Sequence, residues 1–314
     1  MFQIGVDIGG TNIKFGLLDQ SLNILQRSSI PFPHESGENV AARIAEEVYR
    51  LLSLQGITES DLNCVGVVVP GSISPSGDTV LHAHNLGFHH VPLQEFLQQH
   101  FHSTRVFLAN DADGAGLAEL GRGAFVGCKT AVLLTLGTGV GGGLILGGKM
   151  FSGGMRQGVE LGHMPLKAGG EPCTCGNKGC IEAHCSATAL AREGVRAMQS
   201  HPESLLFQRS GGDPSRIDAK FVIDLAKEGD PAALEVFHTY VDDLGSACIA
   251  MIHLLDPEVI AFGGGVCGAG EFLFAPIREN VAKKCFYASH AKIVPAAMGN
   301  DAGIVGAAML GMNN

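Results

Sequence analysis

The chain has 314 residues, 46% of them hydrophobic, and 21 Lys and Arg against 31 Asp and Glu give a net charge of −10. That is enough apolar material for two lobes, and the acidic balance excludes the basic surface that nucleic acid requires. No apolar run approaches the about 20 residues of a membrane helix, so neither nucleic acid nor a membrane is an expected partner.

Phe2 to Ile8 reads as a strand, Gly9-Gly10-Thr11-Asn12 as a tight turn and Ile13 to Leu18 as the returning strand, with a third strand over Ile24 to Ile30. Val40 to Leu54 has helical spacing, with Val40, Ile44, Val48, Leu51 and Leu52 on one face. Cys64 to Val69 is a short apolar run stopped by Pro70-Gly71, the pattern of a buried strand. Pro92 opens a helix running to Phe101. Val106 to Ala109 is a strand ending at Asn110-Asp111, and Ala112 to Leu120 is helical. The pattern then starts again: strand Ala131 to Leu136, turn Gly137-Thr138-Gly139-Val140-Gly141-Gly142-Gly143, strand Leu144 to Leu146. Two apolar hairpins with Gly/Thr tips indicate an internal duplication, one copy per lobe. Helices follow over Ala219 to Lys227 and Pro231 to Leu255, then strand Val259 to Phe262 into Gly263-Gly264-Gly265, helix Phe272 to Lys284, strand Lys292 to Pro295 and a C-terminal helix capped by Asp301. The expected organisation is an α/β protein with a small lobe over 1–112 and a large lobe over 113–300, the segment 301–314 packing back on the small lobe.

Three glycine turns, at 9–12, 137–143 and 263–265, each follow an apolar strand. Their N–H groups can wrap phosphate oxygens at close range. The turn at 137–143 returns into a strand, which disfavours a dinucleotide fold, and no G-x-x-x-x-G-K-[ST] loop is present. Asp7, just before the first turn, can meet the Mg²⁺ of a bound nucleotide or simply cap the turn. Asp111, at a strand end, can accept a proton from an attacking alcohol or cap the next helix. Asp113 reads as a first-turn acid matched to the helix dipole.

His163 and Cys173, Cys175 and Cys180 place one imidazole and three thiols within 18 residues. Gly176 and Gly179 let the chain double back on a single ion. The set fits a closed, structural Zn²⁺ site; a disulfide or idle thiols is the alternative. Glu160 and Glu182 flank it, and carboxylates beside a metal-fixed imidazole suit the vicinal hydroxyls of a sugar. Asn85 is a further candidate sugar contact. His82, His84, His89, His90, His100 and His102 lack metal-site spacing and read as surface or loop residues. Met1-Phe2-Gln3-Ile4 enters the first strand without a leader pattern, so the expectation is a reducing cytoplasm in which Cys64, Cys128, Cys185, Cys248, Cys267 and Cys285 are buried free thiols.

Taken in order, Asp7-Ile8-Gly9-Gly10-Thr11-Asn12, Asn110-Asp111, Leu136 to Gly143, Glu160-Leu161-Gly162-His163 and Cys173-x-Cys175-Gly176-x-x-Gly179-Cys180-x-Glu182 resemble the ROK sugar kinases over nearly the whole chain. The resemblance implies a two-lobed actin-like ATPase (ribonuclease H-like) fold with an inserted zinc site. It also implies ATP with Mg²⁺ as donor and a hexose phosphorylated at its 6-hydroxyl, with glucose first and ManNAc or GlcNAc as the alternative. It makes Asp111 the base and places Asn110, Glu160, His163 and Glu182 on the sugar. Thr11, Asn12, Thr138 and Gly139, with Gly9 and Gly10, would lie along the phosphates, and Gly264 and Gly265 nearer the adenosine. A homodimer is what the resemblance suggests. Asp113, His184 and Ser186-Ala187 depart from the family pattern and leave the exact sugar open. Some relatives are transcriptional regulators with an N-terminal helix-turn-helix; the Asp7 motif begins too early for one here.

Overall fold

The structure, a computed structural model, describes residues 1–155 and 158–312. In chain order its strands are β1 (Phe2–Ile8), β2 (Asn12–Leu18), β3 (Ile24–Pro31), β4 (Leu62–Val69), β5 (Ser72–Ile73), β6 (Val80–Ala83), β7 (Phe88–Val91), β8 (Arg105–Asn110), β9 (Ala131–Leu136), β10 (Val140–Leu146), β11 (Lys149–Met150), β12 (Val259–Gly263) and β13 (Lys292–Pro295). The helices are α1 (Gly37–Gln55), α2 (Leu93–Gln98), α3 (Asp111–Arg122), α4 (Ile181–Cys185), α5 (Ala187–Ser200), α6 (Leu205–Ser210), α7 (Ala219–Lys227), α8 (Pro231–Leu255), α9 (Glu271–Lys284) and α10 (Ala302–Met309).

Two mixed five-stranded sheets carry the fold, in the orders β3-β2-β1-β4-β8 and β11-β10-β9-β12-β13. Exchanging β9 for β1, β10 for β2, β11 for β3, β12 for β4 and β13 for β8 turns one order into the other. In the first, β1 is antiparallel to β2 and parallel to β4; in the second, β12 is parallel to β9 and β13. β4 is an unbroken buried run, Val65-Gly66-Val67-Val68-Val69, as an interior parallel strand must be.

The chain divides into two compact units, one of Met1–Cys128, Gly143–Val159 and Ala297–Asn314, the other of Lys129–Gly142 and Glu160–Ala296. The boundary expected at 112/113 is therefore displaced. α3 stays with the first unit because Leu117 and Ala118 pack on Ile304, Val305, Ala308 and Met309 of α10 in one apolar cluster.

In the first unit, alternate residues of β1 face opposite sides. Ile4 and Val6 join a core with Val40, Ile44, Val48 and Leu51 of α1 and with Leu93 and Leu97 of α2. Between them Gly5 sits in register with Gly66 of β4. A Cβ at Gly5 would collide with the Ile304 carbonyl of α10, and one at Gly66 with that of Ala307. The glycine pair is a smooth floor on which the α10 backbone rests directly. The C-terminal helix expected over 301–314 is α10, and residues 313 and 314 lie outside the described residues. Arg27 of β3 fixes its start through a bidentate pair with Asp301, at 3.3 and 2.8 Å.

In the second unit the long α8 is the central helix, packed against α4, α5, α7 and α9. The buried Tyr240 hydroxyl donates to the Cys185 carbonyl at 2.7 Å and ties α8 to α4. Among the described residues no helix is long and apolar enough to cross a membrane.

Candidate active site

The first unit supplies three candidate groups. Gly9 to Asn12 form a closed turn between β1 and β2, with the Gly9 N–H donating to the Asn12 carbonyl at 2.9 Å. Asp7, directly before it, is half-buried, and its cross-strand partner Lys14 stands 3.7 Å away. Burial pushes the Asp7 carboxyl above its ordinary value, and Lys14 pulls it partly back. The carboxylate also rests against Gly303 of α10, where a Cβ would stand 2.5 Å from the Asp7 Cγ.

Asn110 and Asp111 join β8 to α3. Asn110 is the N-cap: its amide oxygen accepts from the Ala112 N–H at 2.8 Å, while its amide nitrogen donates to the Gly71 carbonyl at 2.6 Å. Asp111 is the first helical residue and is exposed; its Oδ1 accepts from the same Ala112 N–H at 2.9 Å. The helix start is thus fixed mainly by Asn110, and the Asp111 carboxylate is held outward beside it. Asn85 lies in a short 3-10 turn, His84–Leu86, and a Cβ at Gly10 would stand 3.5 Å from the Asn85 Cβ. The element bearing Asn85 therefore lies on the first glycine turn.

The second unit supplies the other set. The turn between β9 and β10 is shorter than read from sequence: β10 starts at Val140, because the Gly137 N–H closes on the Gly139 carbonyl at 3.0 Å. The head of α5 anchors it, the Ala187 N–H donating to Gly137 and the Thr188 hydroxyl to Thr138, both at 2.8 Å. Gly264, at φ +91°, turns the chain out of β12 into the 3-10 segment Gly265–Ala269.

His163 ends the 3-10 turn Leu161–His163, which follows the exposed Glu160. Gly162 in that turn is pressed on β10: a Cβ there would strike the Val140 carbonyl. Cys173 to Asn177 form a tight loop, with the Cys173 N–H on the Asn177 carbonyl at 2.8 Å, and the Leu166 N–H reaches Gly179 at 2.7 Å. The result brings the ligand atoms of His163, Cys173, Cys175 and Cys180 within 4.8 Å of one another. With metal–sulfur bonds of about 2.3 Å and metal–nitrogen bonds of about 2.0 Å, a tetrahedral ion holds two sulfurs about 3.8 Å apart and sulfur and nitrogen about 3.6 Å apart. Cys175 Sγ stands 3.7 Å from Cys180 Sγ, and Cys173 Sγ 3.6 Å from His163 Nδ1. These spacings fit a shared ion and are longer than the about 2.0 Å between the sulfurs of a disulfide. Burial pushes the Cys180 thiol up to about 12, with Cys173 and Cys175 adding to it.

Glu182 joins this loop to the glycine turn. One carboxylate oxygen accepts from the Thr174 hydroxyl at 2.6 Å, the other from the Val140 N–H at 3.1 Å.

A model of the ROK family matches residues 3–313. The chain belongs to the ROK family. It is 37% identical over 311 residues to a glucokinase of Thermotoga maritima, covering 98% of this chain and 96% of that one. A ROK family glucokinase from Streptomyces griseus, solved in complex with glucose and AMPPNP, is 32% identical with a TM-score of 0.81 and full coverage of both chains. A ROK hexokinase from Thermus thermophilus is 31% identical with a TM-score of 0.84, covering 99% of this chain and 97% of that one.

Within this ROK chain the candidates fall into two sets, Asp7, Gly9 to Asn12, Asn85, Asn110 and Asp111 in the first unit, and Thr138, Gly139, Glu160, His163, Glu182, Gly264, Gly265 and the cysteines in the second. Sequence reasoning missed Thr174, Thr188 and the Gly71 carbonyl, each of which fixes a candidate residue. Thr174 alone carried a signal, a hydroxyl between two metal-spaced cysteines. His184, a departure from the family pattern, is nearly buried: its Nδ1 lies 3.8 Å from Asp243, and its Nε2 accepts from the Glu171 N–H at 3.4 Å. Burial, then Lys167, lowers its pKa, which keeps it neutral. Of the six scattered cysteines, Cys64, Cys185 and Cys248 are buried, whereas Cys128, Cys267 and Cys285 are only partly so.

Proposed function

We propose that this chain is an ATP-dependent hexokinase that phosphorylates a hexose, glucose first, at its 6-hydroxyl. The observation that carries the reading is the Asn110–Asp111 corner in a chain matched end to end by glucokinases. A carboxylate sits at the mouth of a parallel strand, its helix capped by its neighbour, so that it is exposed yet fixed.

In the transfer, the 6-oxygen forms a bond to the γ-phosphorus as the bond to the β-phosphate oxygen breaks. The hydroxyl proton passes to Asp111, and ADP leaves. Asn110, with its second amide hydrogen, and Asn85, Glu160, His163 and Glu182 orient the sugar hydroxyls. Gly10, Thr11, Asn12, Thr138 and Gly139 contact phosphate oxygens through N–H and hydroxyl groups, Gly9 closes the turn that brings the first of them to the phosphates, and Gly264 and Gly265 approach the adenosine. Mg²⁺, when bound, neutralises phosphate charge, and Asp7 is the carboxylate placed to hold it; its raised pKa marks a charge that burial has left poorly solvated.

The cysteine set, with His163, would hold a structural Zn²⁺. His163 would present Nδ1 to it and keep Nε2 for a hydroxyl, and four protein ligands would leave no open position for catalysis. The matching strand orders of the two sheets support a duplicated, actin-like ATPase fold. The boundary of the sugar-kinase lobes follows the two compact units. A homodimer is proposed on the family resemblance and on the exposed ring pair of Phe286 and Tyr287, with Phe286 83% exposed; light scattering tests it.

The deciding experiment is a coupled ADP-release assay at fixed Mg·ATP over glucose, mannose, fructose, ManNAc and GlcNAc. Glucose should give the highest kcat/KM. Absence of sugar-dependent ADP release would overturn the kinase reading, and preference for an N-acetylhexosamine would overturn glucose alone.

A further inference from the structure

Four of the six histidines read from sequence as surface or loop residues, His82, His84, His89 and His90, stand together in the structure. β6 and β7 pair antiparallel with His82 directly opposite His89, so the two side chains share one face of the three-stranded sheet β5-β6-β7. Their Nδ1 atoms lie 3.2 Å apart. His84, two residues after His82, has its ring 6.4 Å from that of His82 and 5.8 Å from that of His89. His90 adopts φ +50°, which turns its ring back to within 5.5 Å of His82. All four are exposed.

Two nitrogens bound to one ion at about 2.0–2.1 Å in tetrahedral or square geometry lie about 2.9–3.4 Å apart, and the His82–His89 spacing falls inside that window. The third ring needs only side-chain rotation, which an exposed residue completes in nanoseconds or less. Clustered imidazoles without carboxylates or thiolates select late first-row divalent ions over Mg²⁺ or Ca²⁺.

We propose that His82, His84 and His89 form a second metal site, for Zn²⁺, Ni²⁺ or Cu²⁺, separate from the cysteine site. The strand register supplies two ligands already at bonding separation, and the turn after β6 supplies the third. His90 is placed as a fourth ligand or a gate.

Ni²⁺ is the probe. Protein carrying one Zn²⁺ per chain, which fills the cysteine site alone, is titrated by calorimetry, with thiolate-to-metal absorbance followed in parallel. One saturable equivalent of Ni²⁺ should bind without a thiolate band and raise the thermal unfolding midpoint. His82→Ala and His89→Ala should each weaken binding by about tenfold or more, and His82→Ala/His89→Ala should abolish it, whereas His100→Ala/His102→Ala should bind like the wild type. Circular dichroism confirms that each variant is folded, and His89→Gln repeats the test with a polar replacement. Saturable binding unchanged in the His82 and His89 variants, binding that develops a thiolate band, or no saturable uptake by the wild type would each overturn the site.

Discussion

At the residue scale the Asn110–Asp111 pair separates structure from chemistry. The Ala112 N–H is shared by both side chains, at 2.8 and 2.9 Å, so removing one leaves the helix cap in place. Asp111→Ala should therefore lower kcat by about 10²–10⁴-fold, the loss typical of a missing general base, while the denaturation midpoint stays within experimental scatter of the wild type. Turnover near the wild-type value would remove Asp111 from the role of base. Asp7 makes a prediction of the opposite kind. Burial holds its carboxyl above the ordinary value of 3.8, so the folded chain binds this proton more tightly than the unfolded chain does. The folded state is favoured while Asp7 is protonated and loses that advantage as pH rises from 3.8 through the folded value. In nucleotide-free protein, Asp7→Asn should match the wild type at pH below 3.8 and unfold at higher denaturant at neutral pH, while its activity with Mg·ATP falls. A variant less stable than the wild type at neutral pH would contradict this.

Elements with a single strong period were legible in the sequence. β1, β9, α7, α8 and β13 lie where alternation, apolar runs or helical spacing put them. The candidate residues before and after them were picked out on the same ground, since strand ends and glycine turns are where ligand-facing groups gather. What the sequence hid were mainly short elements: β5, β6 and β7 are strands of two, four and four residues in which Ser and His interleave with apolar residues, and α4 and α6 are helices of five and six residues after a loop organised by its cysteines rather than by a core. The link running from that loop to the glycine turn was hidden for the same reason. Glu182 ties Thr174 to the Val140 N–H across 42 residues of sequence, and no periodicity encodes such a bond. It carries a consequence for the element as a whole. Removing the ion by chelation should free the loop 173–180, release the Thr174 contact, and loosen Glu182. Hydrogen exchange followed by mass spectrometry should then show faster exchange both at 173–180 and in the 137–140 turn, with Cys175→Ser behaving alike and binding no zinc by elemental analysis. Acceleration confined to 173–180 would mean that Glu182 holds the turn without help from the metal loop.

At the scale of the whole molecule, two sheets of the same strand order are finished differently. The first is completed by the end of the chain: α10 comes from the last residues and lies on strands made from the first, with Arg27–Asp301 at its start and the Gly5–Gly66 floor beneath its middle. A core closed so late in the sequence makes the first unit depend on a close approach that a single methyl group prevents. Gly66→Ala would drive a Cβ into the Ala307 carbonyl, a backbone atom that cannot swing aside as a side chain would. Overpacking of this kind costs about 1–3 kcal/mol, and for a unit of this size about 2–4 °C in unfolding midpoint per kcal/mol. Calorimetry should show the first unit melting earlier in Gly66→Ala, with activity intact below the transition. Gly268→Ala, in the 3-10 segment after β12 where an added Cβ meets nothing within 4 Å, should melt like the wild type. Equal midpoints for Gly66→Ala and the wild type would show that α10 does not rest on β1 and β4, and the account of how the chain's two ends build one core would fall with it.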